Sequence, residues 1–223
     1  MTTSFIDSAV AEATSISTMP THQAGDMLVM YAGIVTGTGT ITIPSGWRVV
    51  CFRAINNTMS SVVAVMTATS GAEVSGTWTS AELLACAVYR DSVNYLRVGG
   101  SNQGGANSPT TTITYPAIIP YGLSTSLSSM RATSWVVGFG LSSVNTGSLE
   151  TPPTDMTNRV TLAGASVGEI AIHDRNAAIS TWPSTNVTID AGNNHAAVIE
   201  LVDSGYAIAS ASGGTIFNVI GAA

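Results

Sequence analysis

Residues 25–90 of this chain read GDMLVMYAGIVTGTGTITIPSGWRVVCFRAINNTMSSVVAVMTATSGAEVSGTWTSAELLACAVYR and decide its fold. Turn-forming residues interrupt the block at short, regular spacing: Gly25-Asp26, Pro44-Ser45-Gly46, Asn56-Asn57 and Ser70-Gly71. The segments between these turns are rich in Val, Ile, Thr and aromatic residues and are too short for helices. They predict antiparallel strands over Met27–Val35, Trp47–Ala54, Val62–Thr69, Gly76–Thr79 and Leu83–Arg90.

The segment Met27–Ile34 is apolar on both of its faces. A strand of this kind is stable only in the middle of a sheet that is covered on both sides. We therefore expect it to be a central strand.

A second block, residues 133–202, repeats the first in outline, with the same order and spacing of segments. Trp135–Leu141 corresponds to Met27–Gly33, Pro152-Pro153 to Pro44, Val167–Ile172 to Val62–Met66, Thr181-Trp182 to Thr77-Trp78, and His195–Leu201 to Leu84–Tyr89.

Two such halves predict an all-β fold, a jelly-roll-like antiparallel β-sandwich built from two degenerate four-strand halves, residues 25–90 and 133–202. Both halves are expected in one domain over residues 25–204. Two separate small domains are the alternative, and we disfavour it because neither half would bury much surface alone. No helix longer than about two turns is expected, because no window sustains a 3.6-residue period.

The segments outside the two blocks carry three further predictions. Residues 1–24 are expected to form an edge strand or an extended arm, and Gly99–Gly105 a flexible or functional loop. Residues 205–223 contain no charge and include a β-prone run that must be paired or buried. We predict that this segment docks on a neighbouring subunit through Ile216, Phe217, Val219 and Ile220.

The composition indicates a protein of assemblies. Charged residues make up 9% of the chain, whereas about 25% is usual. Chains with so few charges tend to associate, so we expect much of the surface to be covered by copies of the chain or by partners.

The charges also restrict the partners. The net charge is −6, there is no lysine, and the seven arginines are scattered along the sequence. Nucleic acid is an unfavourable partner because phosphate contacts need a basic patch. No apolar segment reaches membrane-spanning length, and the first 25 residues lack the basic start of a signal peptide, so we expect neither membrane insertion nor export by that route.

Cysteine and tryptophan are both expected in the core. Cys51 and Cys86 lie within apolar strand patterns and are predicted to be buried free thiols rather than a disulfide. The tryptophans could serve as sugar-stacking platforms, but their matched places in the two blocks favour core packing, and Trp47 and Trp182 in particular are expected to be buried. The four tryptophans are Trp47, Trp78, Trp135 and Trp182.

Catalytic and metal-binding motifs are weak in this sequence. Gly164-Ala165-Ser166-Val167-Gly168 matches the nucleophile elbow G-x-S-x-G, with His173, His195, Asp174 and Asp190 downstream, but the elbow needs a helix after the serine and Val167–His173 predicts a strand. Glu169 and His173 would bind a metal together only on a helix. A Ca²⁺ loop could be drawn from Asp174, Asn176, Asp190, Asn193 and Asn194, although such residues are also ordinary turn formers. We predict no enzyme activity, no cofactor and no metal.

Several pieces of the first block occur in an order that resembles a family of β-sandwich structural proteins of tailed bacteriophages. They are Gly25-Asp26-Met27-Leu28-Val29, Ile43-Pro44-Ser45-Gly46-Trp47, Val63-Ala64-Val65-Met66 followed by Gly71 and Thr77-Trp78-Thr79, and Ala85-Cys86-Ala87-Val88-Tyr89-Arg90. The likeness extends more weakly through the second block and covers about residues 25–202.

This resemblance implies a virion protein without enzymatic activity. The favoured role is a capsid decoration or cement protein that stabilises the head, because the chain lacks the heptads and shaft-forming repeats of fibres. A tail tip or fibre module and a carbohydrate-binding adhesion domain are the alternatives, and a serine hydrolase is more distant. The expected partners are further copies of the chain, as a homotrimer, and the major capsid protein or other virion proteins. The expected location is the virion, assembled in the host cytoplasm.

Overall fold

The computed structural model describes residues 3–37, 39–55, 58–93, 95–120, 134–163, 165–175, 182 and 184–203. These residues form two antiparallel sheets and, apart from one 3-10 turn at Ser148–Glu150, no helix. The predicted all-β sandwich is therefore confirmed, although the two sheets have five and six strands rather than the four expected in each half. The strands are β1 (Thr3–Ala11), β2 (Met27–Ile34), β3 (Arg48–Ile55), β4 (Met59–Thr67), β5 (Leu83–Asp91), β6 (Leu96–Tyr115), β7 (Ile119–Pro120), β8 (Trp135–Ser142), β9 (Thr157–Leu162), β10 (Glu169–Arg175) and β11 (Thr185–Asp203).

Each half of the chain forms one sheet. The first sheet has the strand order β1-β5-β2-β4-β3, and the second has the order β7-β6-β11-β8-β10-β9. Strand β2 lies in the middle of the first sheet and is buried along its whole length, as predicted. The strand expected over Gly76–Thr79 is wrong: this segment makes only one isolated bridge, between Thr42 and Thr79, because it crosses the outer face of the sheet.

The two sheets repeat one topology. When β1 to β5 are matched with β6, β8, β9, β10 and β11, the strand orders coincide and only the short β7 is left over. The register is repeated as well. Tyr31 pairs with Val63 and Ala85 in the first sheet, and its equivalent Phe139 pairs with Ile172 and Ala197 in the second.

Two β-bulges are repeated at equivalent positions. One lies between Val49 and Cys51 in β3 and recurs in β9 opposite Ile172 and His173, so that Val50 and Arg159 are the equivalent bulge residues. The other lies between Phe5 and Asp7 in β1 and recurs in β6, where Gly99 is the extra residue. Since a bulge requires a local break in the ladder, its recurrence at the same place is strong evidence that the halves are structural repeats.

The sheets pack face to face about an approximate two-fold axis that runs along β2 and β8. The rings of Tyr31 and Phe139, which are equivalent residues, lie 5.3 Å apart across the axis. Strand β1 faces β9 and β3 faces β6, and these two contacts exchange under the same rotation. One apolar cluster between the sheets draws residues from both halves.

The outer face of each sheet is covered by its own connections. Ile16, Ile41, Trp47 and Trp78 cover the first sheet, and Leu149, Met156 and Trp182 contribute to the cover of the second. The four tryptophans are at most 9% exposed, so the prediction of buried tryptophans is confirmed. Both cysteines are buried free thiols, as expected, and they lie on opposite faces of the first sheet.

The loop predicted at Gly99–Gly105 is wrong, because these residues lie within β6. The glycines serve close packing against β11. A Cβ atom on Gly99 would lie 2.7 Å from Glu200 Oε2, and one on Gly105, whose φ is +151°, would lie 2.4 Å from the carbonyl oxygen of Asn194.

The contact at the axis predicts that a reciprocal swap is tolerated. Gly33 and Leu141 are equivalent residues, and a Cβ atom on Gly33 would lie 2.7 Å from both terminal methyl groups of Leu141. Gly33→Leu should cost about 1–3 kcal/mol by overpacking and Leu141→Gly about 2–5 kcal/mol by leaving a cavity. The double variant should recover most of the loss, since the side chain is moved across the axis rather than added or removed.

Urea unfolding of the four proteins measures this coupling. Gly37→Ala is the control, because nothing lies within 4 Å of a Cβ atom there. Strictly additive losses in the double variant would contradict the proposed symmetry of this contact.

Candidate functional site

The structure does not test the predicted subunit contact, and it does not bring the residues of the hydrolase motif together. Ile216, Phe217, Val219 and Ile220 lie outside the described residues. Ser166 is exposed and its hydroxyl donates to Glu12, not to a histidine. The strand β10 begins at Glu169, soon after this serine, where an elbow would need a helix.

His173 has a structural environment. It is fully buried, with Tyr115 Oη 2.9 Å from Nδ1 and the carbonyl oxygen of Leu149 2.8 Å from Nε2. A carbonyl can only accept, so Nε2 carries the proton and Nδ1 accepts from the tyrosine. Burial lowers the pKa of His173 to about 4, and the ring is neutral at pH 7.

Glu169, like His173, forms a hydrogen bond with the backbone of Leu149. Its Oε2 atom accepts from the backbone N–H of Leu149 at 3.3 Å, and burial raises the pKa of this carboxyl. Both side chains therefore hold the 3-10 turn, through Leu149, on the outer face of the second sheet.

The residues considered for calcium are not brought together. Asp174 pairs with Val137 and Asn194 with Ser142, five residues further along β8, which corresponds to about 17 Å along a strand. Asn176 lies outside the described residues. Within the described part of the chain, no three His, Cys, Asp or Glu side chains are placed to hold a metal ion.

The motifs that carry the resemblance are structural in this fold. Asp26 accepts from Arg90 Nε at 2.6 Å and from Nη2 at 2.7 Å, which ties the start of β2 to the end of β5. In the Pro44-Ser45-Gly46-Trp47 turn, Gly46 has φ +91°, a conformation that favours glycine. The indole N–H groups of Trp47 and Trp78 both donate to the carbonyl oxygen of Ser75, at 3.1 and 3.0 Å.

Two polar clusters interrupt the apolar core between the sheets. The first, which we call the Arg159 cluster, consists of Tyr89, Asp174 and Arg159. Asp174 Oδ2 accepts from Tyr89 Oη at 3.0 Å and from Arg159 Nε at 2.7 Å. The guanidinium also lies 4.5 Å from the centre of the Phe5 ring. Oδ2 of this buried carboxylate is matched by a cation and a hydroxyl donor, whereas Oδ1 has no hydrogen-bond partner among the described residues.

The second cluster, which we call the Arg53 cluster, consists of Tyr31, Arg53, Ser61 and His195. Ser61 Oγ lies 2.9 Å from His195 Nδ1, and this hydrogen bond joins the two sheets. Arg53 Nη2 donates to the carbonyl oxygen of Gly105 at 3.2 Å. Burial, followed by the charge of Arg53, lowers the pKa of His195 to about 4.

The internal repeat shows that neither cluster is required by the fold. The equivalents of Tyr89, Asp174 and Arg159 are Leu201, Val65 and Val50, and those of Ser61, His195 and Arg53 are Ile170, Leu83 and Leu162. All six equivalents belong to or pack against the apolar core. Each polar cluster therefore has an apolar counterpart in the other half.

The sequence reasoning missed the Arg53 cluster and Arg159, although it singled out His195 and Asp174 for other reasons. Ser61 and His195 are 134 residues apart, so no local spacing could connect them. A position-by-position alignment of the two halves would have shown a serine and a histidine where the other half has isoleucine and leucine.

The edge strand β3 is a second feature of the surface. Within the described residues it pairs only with β4, and Val49 and Phe52 are 43% and 42% exposed. Their equivalents in β9 are Asn158 and Thr161, which donate to the carbonyl oxygens of Glu150 and Leu149. The same two positions thus hold hydrogen-bonded polar side chains in the second half of the chain and exposed apolar side chains in the first.

Comparison of the chain with protein-family models, with curated proteins and with solved structures gives no match. In the part of the chain that the structure describes, no helix has the length and hydropathy of a membrane span.

Replacing the Arg159 cluster by its apolar counterpart should be nearly neutral. Arg159→Val alone leaves the buried Asp174 carboxylate without its cation and should cost about 3–5 kcal/mol. The triple variant Tyr89→Leu, Asp174→Val, Arg159→Val copies the residues of the other half and should regain most of that loss. Denaturant unfolding is the measurement, with Arg175→Ala as a control at a more exposed ion pair. A triple variant less stable than Arg159→Val would show that the counterpart residues do not fit here.

Acidification should destabilise the protein in part through His173. The folded-state pKa is about 4, below an unfolded value of about 6.5, so the unfolded state binds more protons between these values. Stability is fully present above pH 6.5 and is lost as the pH falls towards 4. His173→Gln should reduce the slope of unfolding free energy against pH by up to about 1.4 kcal/mol per pH unit in this window. Both proteins contain the same carboxylates, so the difference between their slopes is due to His173. Equal slopes would contradict the lowered pKa assigned to this histidine.

Proposed function

We propose that this chain is a non-enzymatic structural protein of a tailed-bacteriophage virion, acting on the head as a capsid decoration or cement protein. The viral part of the proposal is supported by the ordered motifs of residues 25–90. The assembly part is supported above all by the exposed apolar edge of β3.

The distribution of charge favours an assembly role. Five of the 13 acidic residues are buried, namely Asp26, Glu169, Asp174, Glu200 and Asp203. The surface is consequently even poorer in charge than the composition indicates. Such a surface gives little electrostatic protection against association.

The shape of the sandwich directs contacts to its edges. Both outer faces are covered by the chain's own connections, so they are not free for a neighbour. In the described part of the chain no strand pairs with the outer side of β3, where Val49 and Phe52 are exposed. An open apolar edge normally pairs with another chain or is protected by charges or bulges. We therefore assign the β3 edge to a contact with another virion subunit.

The proposed assembly is a homotrimer in which residues 205–223 of one subunit dock on its neighbour through Ile216, Phe217, Val219 and Ile220. A head-to-tail contact closes into a ring when its rotation allows it, and a trimer suits local three-fold positions of a capsid. Further proposed partners are the major capsid protein or other virion proteins.

A carbohydrate-binding module is the rival function, and one observation favours it. Tyr95 is 63% exposed, and an exposed ring can stack on a sugar. The tryptophans, in contrast, are all buried. A glycan array distinguishes the two: specific sugar binding that Tyr95→Ala abolishes would support the rival.

The edge contact is tested by light scattering on the full chain. Val49→Ser with Phe52→Ser should lower the oligomer mass or release the protein from particles, while the melting temperature changes little because both side chains are exposed. Val74→Ser is the matched control, at a residue that is 76% exposed and lies outside the strands. Deletion of residues 215–223 should have the same effect on mass.

A map of intact particles by electron microscopy tests the location. Density for the sandwich on the capsid surface would support the decoration role, and density at the tail would support the fibre alternative. Variants that remain trimeric and still bind particles would contradict the proposed contacts.

A further inference from the structure

We propose that the Arg53 cluster binds a carboxylate group between the edges of β3 and β6, with Tyr31, Arg53 and His195 as hydrogen-bond donors. This inference is independent of the virion role proposed above.

The unpaired atoms of the cluster are its first support. Tyr31 Oη, Arg53 Nε and His195 Nε2 are buried and have no hydrogen-bond partner among the described residues. The side chains of Tyr31 and His195 are fully buried. Leaving one such group unsatisfied costs about 1–3 kcal/mol, and more for a charged group, so three together call for an explanation.

The chemistry of the three atoms specifies the ligand. Arg53 Nε and Tyr31 Oη present hydrogens, and His195 Nε2 presents one in the tautomer in which Nδ1 accepts from the Ser61 hydroxyl. Arg53 forms no ion pair with the carboxylates of the described residues. A group that accepts several hydrogen bonds and carries a negative charge fits this set.

The three side chains lie close to one another. Ser61 and Arg53 are paired neighbours on β4 and β3, and Ser61 contacts His195. Burial raises the pKa of Tyr31, and the neighbouring Ser61 hydroxyl, followed by the charge of Arg53, acts against this rise. Tyr31 Oη therefore lies beside Ser61, although no well-formed hydrogen bond joins them. Burial, followed by the charge of Arg53, lowers the pKa of His195.

The Arg159 cluster shows which anion suits such donors. There, a tyrosine hydroxyl and an arginine Nε converge on one oxygen of Asp174. The Arg53 cluster offers the same two donor types plus a histidine, but no carboxylate of the described residues forms an ion pair with Arg53. A carboxylate from outside the described core would complete the second cluster as Asp174 completes the first.

Access to the cluster is provided by Arg53 itself. Its side chain is half-buried and reaches from β3 to the carbonyl oxygen of Gly105 in β6. Arg53 is thus the most exposed of the three donor residues, and a carboxylate that enters at this edge meets its guanidinium first. Two sources share this chemistry: a small free carboxylate, and an aspartate or glutamate side chain of another polypeptide.

Thermal unfolding of the full chain with sodium acetate tests the proposal, with sodium chloride at the same ionic strength as reference. Wild type should show a saturable rise in melting temperature of about 2–4 °C. Arg53→Gln should abolish the rise, and Tyr31→Phe should weaken acetate binding about tenfold through loss of one charge-assisted hydrogen bond. Arg48→Gln, an exposed arginine on the same strand, is the control and should respond like wild type.

The imidazole nitrogen resonances of His195 give a local measurement. Acetate should shift them in wild type and not in Arg53→Gln. N-acetyl-aspartate N-methylamide distinguishes the sources: a response to it supports a polypeptide carboxylate, and a response to acetate alone supports a small free one. No response to either, or an equal response in Arg53→Gln, would overturn the proposal.

Discussion

The contact between β2 and β8 is the constraint on which the sandwich depends. These strands are the centres of their sheets, both are buried along their whole length, and equivalent residues meet across the axis between them. A large residue on one side is matched by a small one on the other, as at Leu141 and Gly33. Because interiors are close-packed, this pairing fixes the position of one sheet on the other and hence every edge contact.

The repeat within the chain acts as an internal comparison. Positions that are apolar in both halves, such as Val63 and Ile172, are what the core requires. Positions that are polar in one half only need another reason, since burying a polar group is costly unless it is bonded. The Arg159 cluster meets most of that cost with an internal ion pair and leaves one atom, Asp174 Oδ1, without a hydrogen-bond partner among the described residues, whereas the Arg53 cluster leaves three donors without one. The same comparison shows that the position of the exposed Phe52 is held by a hydrogen-bonded threonine, Thr161, in the other half.

The sequence was informative where the signal is local. Short β-prone segments between turn residues predicted β2, β3, β4 and β5, and the correspondence of the two blocks predicted the repeat. It misled where local chemistry is ambiguous. The glycines of Gly99–Gly105 look like a flexible loop, but their role is to admit the backbone and side chains of β11, a strand about 100 residues later. The Arg53 cluster has no local signal, because its members come from β2, β3, β4 and β11.

The two surface features of the first half lie on the same strand. In β3, Phe52 is exposed and the adjacent Arg53 is directed towards the core, as expected when successive side chains alternate between faces. A subunit that covers the apolar edge would therefore also cover the approach to the Arg53 cluster. If the covering segment carries an acidic side chain, the edge contact and the carboxylate site form one interface. Burial of apolar side chains then supplies most of the affinity, and the ion pair between Arg53 and the acidic side chain fixes how the two subunits align. If it does not, the site stays available to small carboxylates only while the edge is free.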